Sequence, residues 1–244
     1  MARTHRVVDH IVAYLAASGV EYIFGVDGAN IEDVYDAAHF CDGITAVLAK
    51  HEFSAATMAD GFSRSGAGLG VVAATSGGGC LNTVAGLGEA LASRVPVLAL
   101  IGQPPTTLDG RGAFQDTSGR NGALNGEALF SAVSVFCRRI SAPEEIATAL
   151  PQAIAAARRG GPAVLLLPKD IQQAALEFGK SVNRPTNGVA VRRQLGDQQV
   201  LARALRRADG PITIIAGEQV ARDDARAELA QLRSVLRARV ATVP

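Results

Sequence analysis

Two unbroken apolar runs, Pro96-Val97-Leu98-Ala99-Leu100-Ile101 and Pro162-Ala163-Val164-Leu165-Leu166-Leu167, constrain this chain more than any other feature. A strand with one face in water alternates apolar and polar residues. A strand with no polar face must be covered on both sides, as in parallel sheets. The rest of the sequence supplies partners and covers. Residues 22–25, 44–49, 70–74 and 133–140 read as further strands, and residues 31–38, the Ala-rich stretch from 52, 80–92 and 143–158 read as helices. Ahead of them, Val7, Val8, Ile11, Val12 and Leu15 share one helical face, with Thr4 placed as a cap and Gly19 as a stop. The pattern predicts the α/β class: a parallel sheet of about six strands with helices on both faces.

The bulk numbers fit a chain with a large core. Of 244 residues, 48% are hydrophobic and 19% charged, and the net charge is +1. That balance excludes disorder and gives no basic footprint for nucleic acid. No apolar run approaches the roughly 20 residues of a membrane span. The stretch Met1–Arg6 leads into a helix containing Asp9 and His10, unlike a secretory signal. Cys41, Cys80 and Cys137 are odd in number and lack metal-ligand spacing, which points to reduced thiols and a cytoplasmic protein.

Three segments carry candidate chemistry. His51-Glu52 stands where an apolar strand gives way to a helix bearing Ala55, Ala56 and Ala59. That puts a carboxylate at the strand's carboxyl end, where open α/β sheets bind ligands. A glutamate at a helix start also simply complements the macrodipole. The second segment, Thr75-Ser76-Gly77-Gly78-Gly79, lies between strand and helix, where bare backbone admits a ligand or merely turns tightly. It is neither a GxGxxG fingerprint nor a P-loop. The third, residues 102–126, holds six glycines without periodicity, a length that inside an α/β domain usually serves function.

In chain order, over about residues 4–175, the sequence resembles the amino-terminal pyrimidine-binding domain of thiamin-diphosphate-dependent enzymes of the acetolactate synthase and 2-keto-acid decarboxylase group. The resemblance rests on Gly19-Val20 through Phe24-Gly25-Val26-Asp27-Gly28, then His51-Glu52 with Ala55, Ala56, Asp60, Gly61 and Arg64. It continues through Thr75–Gly79 with Asn82, Val95-Pro96-Val97 to Gly102-Gln103, Phe114-Gln115-Asp116, and Gly161-Pro162 to Pro168-Lys169-Asp170. It implies that Glu52 hydrogen-bonds N1′ of the cofactor's aminopyrimidine and, with Gln115, is catalytic. It implies cofactor contacts from Gly25, Val26, Asp27, Gly28, Thr75, Ser76, Gly77 and Asn82. Ala29, Phe114 and Gln115 are implied to face a small 2-keto acid substrate. It also implies a homo-oligomer, dimer or tetramer, in which the helices at 52–66 and 80–92 offer flat apolar faces.

Departures from the family pattern refine the expectation. Asp27 stands where the family usually has Pro, Gly78 replaces another Pro, and Ala29 occupies a position that is polar in the decarboxylases. No His-His pair occurs in the long loop, which points to decarboxylation with carboligation. Glu218 and Gln219 follow Gly217 where flavin-binding relatives carry more glycine, which argues against FAD. The Gly-Asp-Gly…Asn element that holds Mg²⁺ and the diphosphate in the family is missing, so no metal ligand is expected here. A complementary chain, or further sequence, would have to supply it. The expected organisation is a pyrimidine-binding domain over 1–175, a linker over 176–194 announced by Gln172, Gln173 and Asn183, and the first part of a central α/β domain over 195–244. The competing reading is a non-catalytic scaffold or regulatory subunit that retains the fold.

Overall fold

The computed structural model describes residues 5–176 and 197–243. Within them the chain divides into two compact units, Met1–Val189 and Ala190–Pro244. In the first unit the order is α1 (Val7–Ala17), β1 (Tyr22–Val26), α2 (Glu32–His39), β2 (Thr45–Leu48), α3 (Glu52–Arg64), β3 (Gly70–Ala74), α4 (Gly78–Ala92) and β4 (Val97–Gln103). After a loop come α5 (Gly126–Ala132), β5 (Phe136–Arg139), α6 (Ile146–Arg158), β6 (Pro162–Pro168) and α7 (Lys169–Gln173). The six strands form one sheet in the order β2-β1-β3-β4-β6-β5, and every pairing is parallel.

Alternation along the strands sorts the core into two layers. Ile23, Val71, Ala73, Leu98, Leu100, Ala163, Leu165 and Leu167 pack under α1, α2 and α6. Their neighbours Phe24, Val72, Ala74, Ala99, Ile101, Val164 and Leu166 pack under α3, α4 and α5. β3, β4 and β6 are buried along their whole length, as continuous apolar runs require, whereas β2 lies exposed at one edge. The chain passes from β1 to β2 on one side and then, through α3, crosses back past β1 to β3 on the other. Right-handed crossovers then put α2 on one face and α3 and α4 on the other.

The helix at residue 7 begins differently from the sequence expectation. Its N-cap is Arg6, whose backbone N–H donates to Asp9 Oδ2 at 2.9 Å and whose guanidinium also reaches Asp33 and Asp36. Thr4 lies outside the described residues. Two short helices went unread in the sequence. The Asn125-Gly126 pair that resembles a turn is the start of α5, with Asn125 Oδ1 accepting from the Ala128 N–H at 2.9 Å. Gln172 and Gln173, expected to announce a linker, belong instead to α7, and Gln172 is fully buried. Most of the expected linker, 177–194, lies outside the described residues.

The second unit contains α8 (Gln198–Arg207), β7 (Thr213–Ala216), α9 (Gln219–Arg222), α10 (Arg226–Leu236) and β8 (Arg239–Thr242), with β7 and β8 paired in parallel. Among its described residues Ala216 and Ala238 are the only buried hydrophobics, while Val200, Leu201, Ile215, Leu232 and Val235 are exposed. No helix among the described residues is long and apolar enough to cross a membrane.

The contact between α3 and α4 depends on one small residue. A Cβ on Gly86 would stand 2.7 Å from the Ala56 Cβ, closer than two helices can tolerate, whereas a Cβ on Gly88 would meet nothing. Replacing glycine by alanine in a helix interior ordinarily gains up to about 1 kcal/mol. Gly88→Ala is expected to raise stability by about 0.5–1 kcal/mol for that reason. Gly86→Ala is expected to lower it by about 1–2 kcal/mol, because overpacking outweighs the propensity gain. Denaturant unfolding of both variants checks the opposite signs.

Candidate functional site

Open parallel sheets bind ligands outside the carboxyl ends of the strands where strand order reverses. Here that place lies between β1 and β3. The segments leaving those strands, residues 27–31 and 75–77, face each other there, and Glu52 follows β2 alongside them. Glu52 is the first residue of α3. His51 caps that helix in extended conformation, its Nδ1 accepting from the Phe53 N–H at 3.1 Å. The carboxylate is thereby aimed along the cleft and half-buried.

Asn82, one turn into α4, donates its Nδ2–H to Glu52 Oε2 at 2.9 Å. Oε1 has no hydrogen-bond partner among the described residues and lies over Gly79, where a Cβ would come within 3.2 Å of it. That same Cβ would strike the Thr75 methyl at 2.6 Å. Gly77 has φ +61°, in the left-handed region, and a Cβ there would meet the Gln115 Cβ at 2.7 Å. The glycines of this turn therefore bring Thr75, Glu52 and Gln115 together over bare backbone.

Gln115 reaches the cleft from the long loop with φ +59°. Thr75 donates its hydroxyl to Gln115 Oε1 in a long 3.4 Å bond. The loop is anchored on both sides of Gln115. Asp116 accepts from the N–H groups of Gly110 at 3.0 Å and Ser118 at 2.8 Å, which hold its carboxyl below the usual range against the opposing effect of burial. Thr117, buried, donates to the buried Gln103 Oε1 at 2.6 Å, and Arg139 pairs with Asp109 at 2.9 Å.

The segment after β1 closes the other side. The buried Asn30 donates its N–H to Thr75 Oγ1 at 3.2 Å and its Nδ2–H to Ser76 Oγ at 2.7 Å. Gly28 lies against the Thr75 side chain. Gly25 makes room for Tyr35: a Cβ there would fall 1.9 Å from the Tyr35 hydroxyl, which donates to Ala73 O at 3.1 Å. Burial, with the nearby charges of Asp27 and Glu52, pushes the Tyr35 phenol well above its ordinary range. Cys80, beneath the turn, donates to Gly77 O at 3.1 Å and is pushed up to about 11, chiefly by burial.

The expected site residues thus divide. Glu52, Asn82, Thr75, Ser76, Gly77, Gly28 and Gln115 gather in one cleft. Val26 ends β1 and packs partly into the core; Asp27 is exposed and turns its carboxylate to the Gly28 N–H at 2.7 Å. Ala29 is exposed, and Phe114 is 72% exposed on the loop next to Gln115. Tyr35 and Thr117 were missed, while Asn30 and Gln103 were read only as members of longer stretches. Their signal was weak: each is a polar residue whose burial appears only once the sheet is assembled. Among the described residues no group of three or more His, Cys, Asp or Glu is placed to hold a metal ion.

Comparison with known proteins agrees with this geometry. Residues 5–122 match the family described as thiamine pyrophosphate enzyme, N-terminal TPP binding domain. The chain is 34% identical over 172 residues to a probable acetolactate synthase large subunit of Methanocaldococcus jannaschii, covering 70% of this chain and 28% of that one. It is 36% identical over 167 residues to the acetolactate synthase isozyme 3 large subunit of Escherichia coli, covering 68% and 28%. A thiamine diphosphate-dependent 4-hydroxybenzoylformate decarboxylase of Rhodococcus jostii shares the fold, with a TM-score of 0.84 at 23% identity over 98% of this chain and 44% of that one. The chain therefore spans well under half the length of these relatives. With its cleft at the β1/β3 reversal and the matching stretch running through it, this chain carries, over residues 5–122, a domain of the family described as thiamine pyrophosphate enzyme, N-terminal TPP binding domain.

Proposed function

We propose that this chain supplies the pyrimidine-binding half of a thiamin-diphosphate-dependent enzyme that acts on 2-keto acids, decarboxylating one and ligating the product to an acceptor as acetolactate synthases do. The observation that carries the reading is the Glu52 carboxylate, with Oε2 held by Asn82 and Oε1 unpaired among the described residues above a glycine turn. The fit of the group is supported by the same feature: a flat ring can lie on Gly77–Gly79 with a ring nitrogen at Oε1. When bound, thiamin diphosphate would supply the carbon nucleophile and the electron sink that decarboxylation of a 2-keto acid needs.

The chain's own residues then have distinct tasks. Glu52 holds a proton at Oε1 against the ring nitrogen, and Asn82 keeps that carboxylate from rotating away. The 25–28 segment and Thr75-Ser76-Gly77 frame the ring, and Asp27 and Val26 form the rim at the end of β1. Gln115, fixed in its left-handed conformation by its neighbours, points a polar group at the reacting atoms, with Phe114 and Ala29 walling the substrate side. Mg²⁺ and the diphosphate fall to a domain outside residues 1–244, on a complementary chain or in further sequence. Residues 1–175 form the pyrimidine domain, 176–194 a linker and 195–244 the opening of a central α/β domain, which accounts for the exposed apolar residues of the second unit. The free thiols of Cys41, Cys80 and Cys137 favour a cytoplasmic setting, and nothing in the 217–219 turn favours FAD. The protein self-associates through α3 and α4, whose outer faces expose Phe53, Met58 and Leu81.

Three outcomes follow. Glu52→Gln is expected to fold normally yet lower keto-acid turnover by about 10²-fold or more in the assembled enzyme, since general acid–base exchange with the ring is lost. Near-normal turnover would overturn the assignment. Calorimetric titration of residues 1–244 with thiamin diphosphate is expected to give weak binding indifferent to Mg²⁺, because among the described residues no group of three or more His, Cys, Asp or Glu is placed to hold a metal ion. Addition of the diphosphate-binding domain should make binding tight and Mg²⁺-dependent; tight Mg²⁺-dependent binding by the chain alone would contradict the half-site. Finally, light scattering at micromolar concentration should give a dimer or larger, and the double variant Phe53→Glu, Leu81→Glu should shift the mass to the monomer.

A further inference from the structure

Between Val26 and the buried Ile31, the segment that closes the cleft over Asn30 places no apolar side chain in the core. Asp27 and Ala29 are exposed, and Gly28 contributes no side chain. Its position must therefore come from polar contacts, and buried backbone groups need partners. Two of those partners come from a single short element distant in sequence. Lys169, the first residue of α7, donates from Nζ to Ala29 O at 2.6 Å. Gln172, fully buried, donates from Nε2 to Asn30 O at 2.8 Å and to Leu167 O at 2.7 Å. Consecutive carbonyls of the loop are thus gripped by one turn of helix. On the opposite side a Cβ at Gly102 would stand 2.0 Å from Asn30 O, so the loop rests directly on the end of β4 and has no room to move towards it. Lys169 also pairs with Glu32 and Asp33, tying the same turn to the start of α2.

We propose that Lys169 and Gln172 are positioning residues of the cofactor cleft, clamping the Ala29 and Asn30 carbonyls so that Asn30 in turn fixes Thr75 and Ser76 beside Glu52. The proposal rests on the pyrimidine reading only for what the clamped segments touch once a ligand is bound. Neither side chain enters the cleft. Each acts through Asn30, whose N–H and Nδ2–H carry the constraint to the hydroxyls of the glycine turn. Removing the Gln172 amide leaves two buried carbonyls without their donor, and removing the Lys169 ammonium releases a charge-assisted bond. In both cases the loop loses its register while the core beneath keeps its packing.

Hydrogen exchange of the full chain tests the clamp. The amides of Ile31 and Glu32 both donate to Gly28 O, at 2.9 and 3.0 Å, and report on the loop. In Lys169→Met and in Gln172→Leu they are expected to exchange about 10-fold faster, with the β3 and β4 amides unchanged and Lys169→Arg close to the parent. In the assembled enzyme the same two variants should raise the KM for thiamin diphosphate by about 10-fold while kcat at saturating cofactor stays within about twofold. Unchanged loop exchange in Lys169→Met would overturn the clamp; this position is partly exposed, so the test stands even if Gln172→Leu does not fold. Faster exchange with unaltered cofactor KM would overturn its positioning role. Full turnover in Glu52→Gln would instead remove the pyrimidine reading and leave the exchange result to decide the clamp.

Discussion

A right-handed crossover is almost obligatory between parallel strands, and in this chain it is applied in both directions from β1. The consequence is mechanical. α2 leaves to one face and α3 and α4 to the other, so the segments after β1 and β3 part at the carboxyl edge with no helix between them. Every feature of the candidate site depends on that opening. The glycine turn starts α4 at its floor, Glu52 starts α3 at its wall, and Asn30 spans it. The same residues on a sheet whose strand order ran one way would face helix backbone instead.

Within the opening, small residues and short polar bonds do the positioning, not hydrophobic burial. Gly79 admits the Glu52 carboxylate, Gly77 admits Gln115, and Gly102 admits the Asn30 carbonyl. A Cβ at Gly77 or Gly102 would come within 3.0 Å of the group each admits, and one at Gly79 would crowd the Glu52 carboxylate at 3.2 Å. Bonds between buried polar groups then fix what the glycines allow: Asn30 with Ser76, Thr117 with Gln103, Gln172 with Asn30. In a low-dielectric setting such bonds are costly to break, because each loss strands a buried partner. The cleft is therefore shaped before any ligand arrives, as preorganised electrostatics requires.

How much of this could be read from the sequence followed the length scale of the signal. The strands at 97–103 and 162–168 were legible because burial on both faces leaves a continuous apolar run, and α3 because alanine recurs at helical spacing. α5 was hidden because Asn125-Gly126 reads equally as a turn, and α7 because five polar-rich residues after a proline look like the start of a linker. Glu52, Thr75, Ser76, Gly77 and Gln115 were legible through local context and family resemblance. Tyr35 and Gln172 were not. Their importance comes from partners 38 and 142 residues away, Ala73 and Asn30, and no local pattern encodes such a distance.

That contrast explains why the departures from the family pattern fall where they do. Asp27 and Ala29 lie on the exposed outer side of the loop, where Asp27 Oδ1 accepts from the Gly28 N–H and the Ala29 methyl adds no polar contact. The groups that set the loop's height are main-chain carbonyls, which no substitution at 27 or 29 removes: Ala29 O is held by Lys169 whatever side chain residue 29 carries. The exposed rim is thus free to vary while hydrogen bonds from α7 hold the backbone beneath it. Gln115 obeys the opposite rule. Its backbone conformation is left-handed and its Cβ rests on Gly77, so its neighbours Asp116, Thr117 and Gly77 must remain compatible for it to reach the cleft at all. Ala29 and Phe114 are exposed and open to single changes, whereas a change at Gln115 requires the loop and the glycine turn to change together.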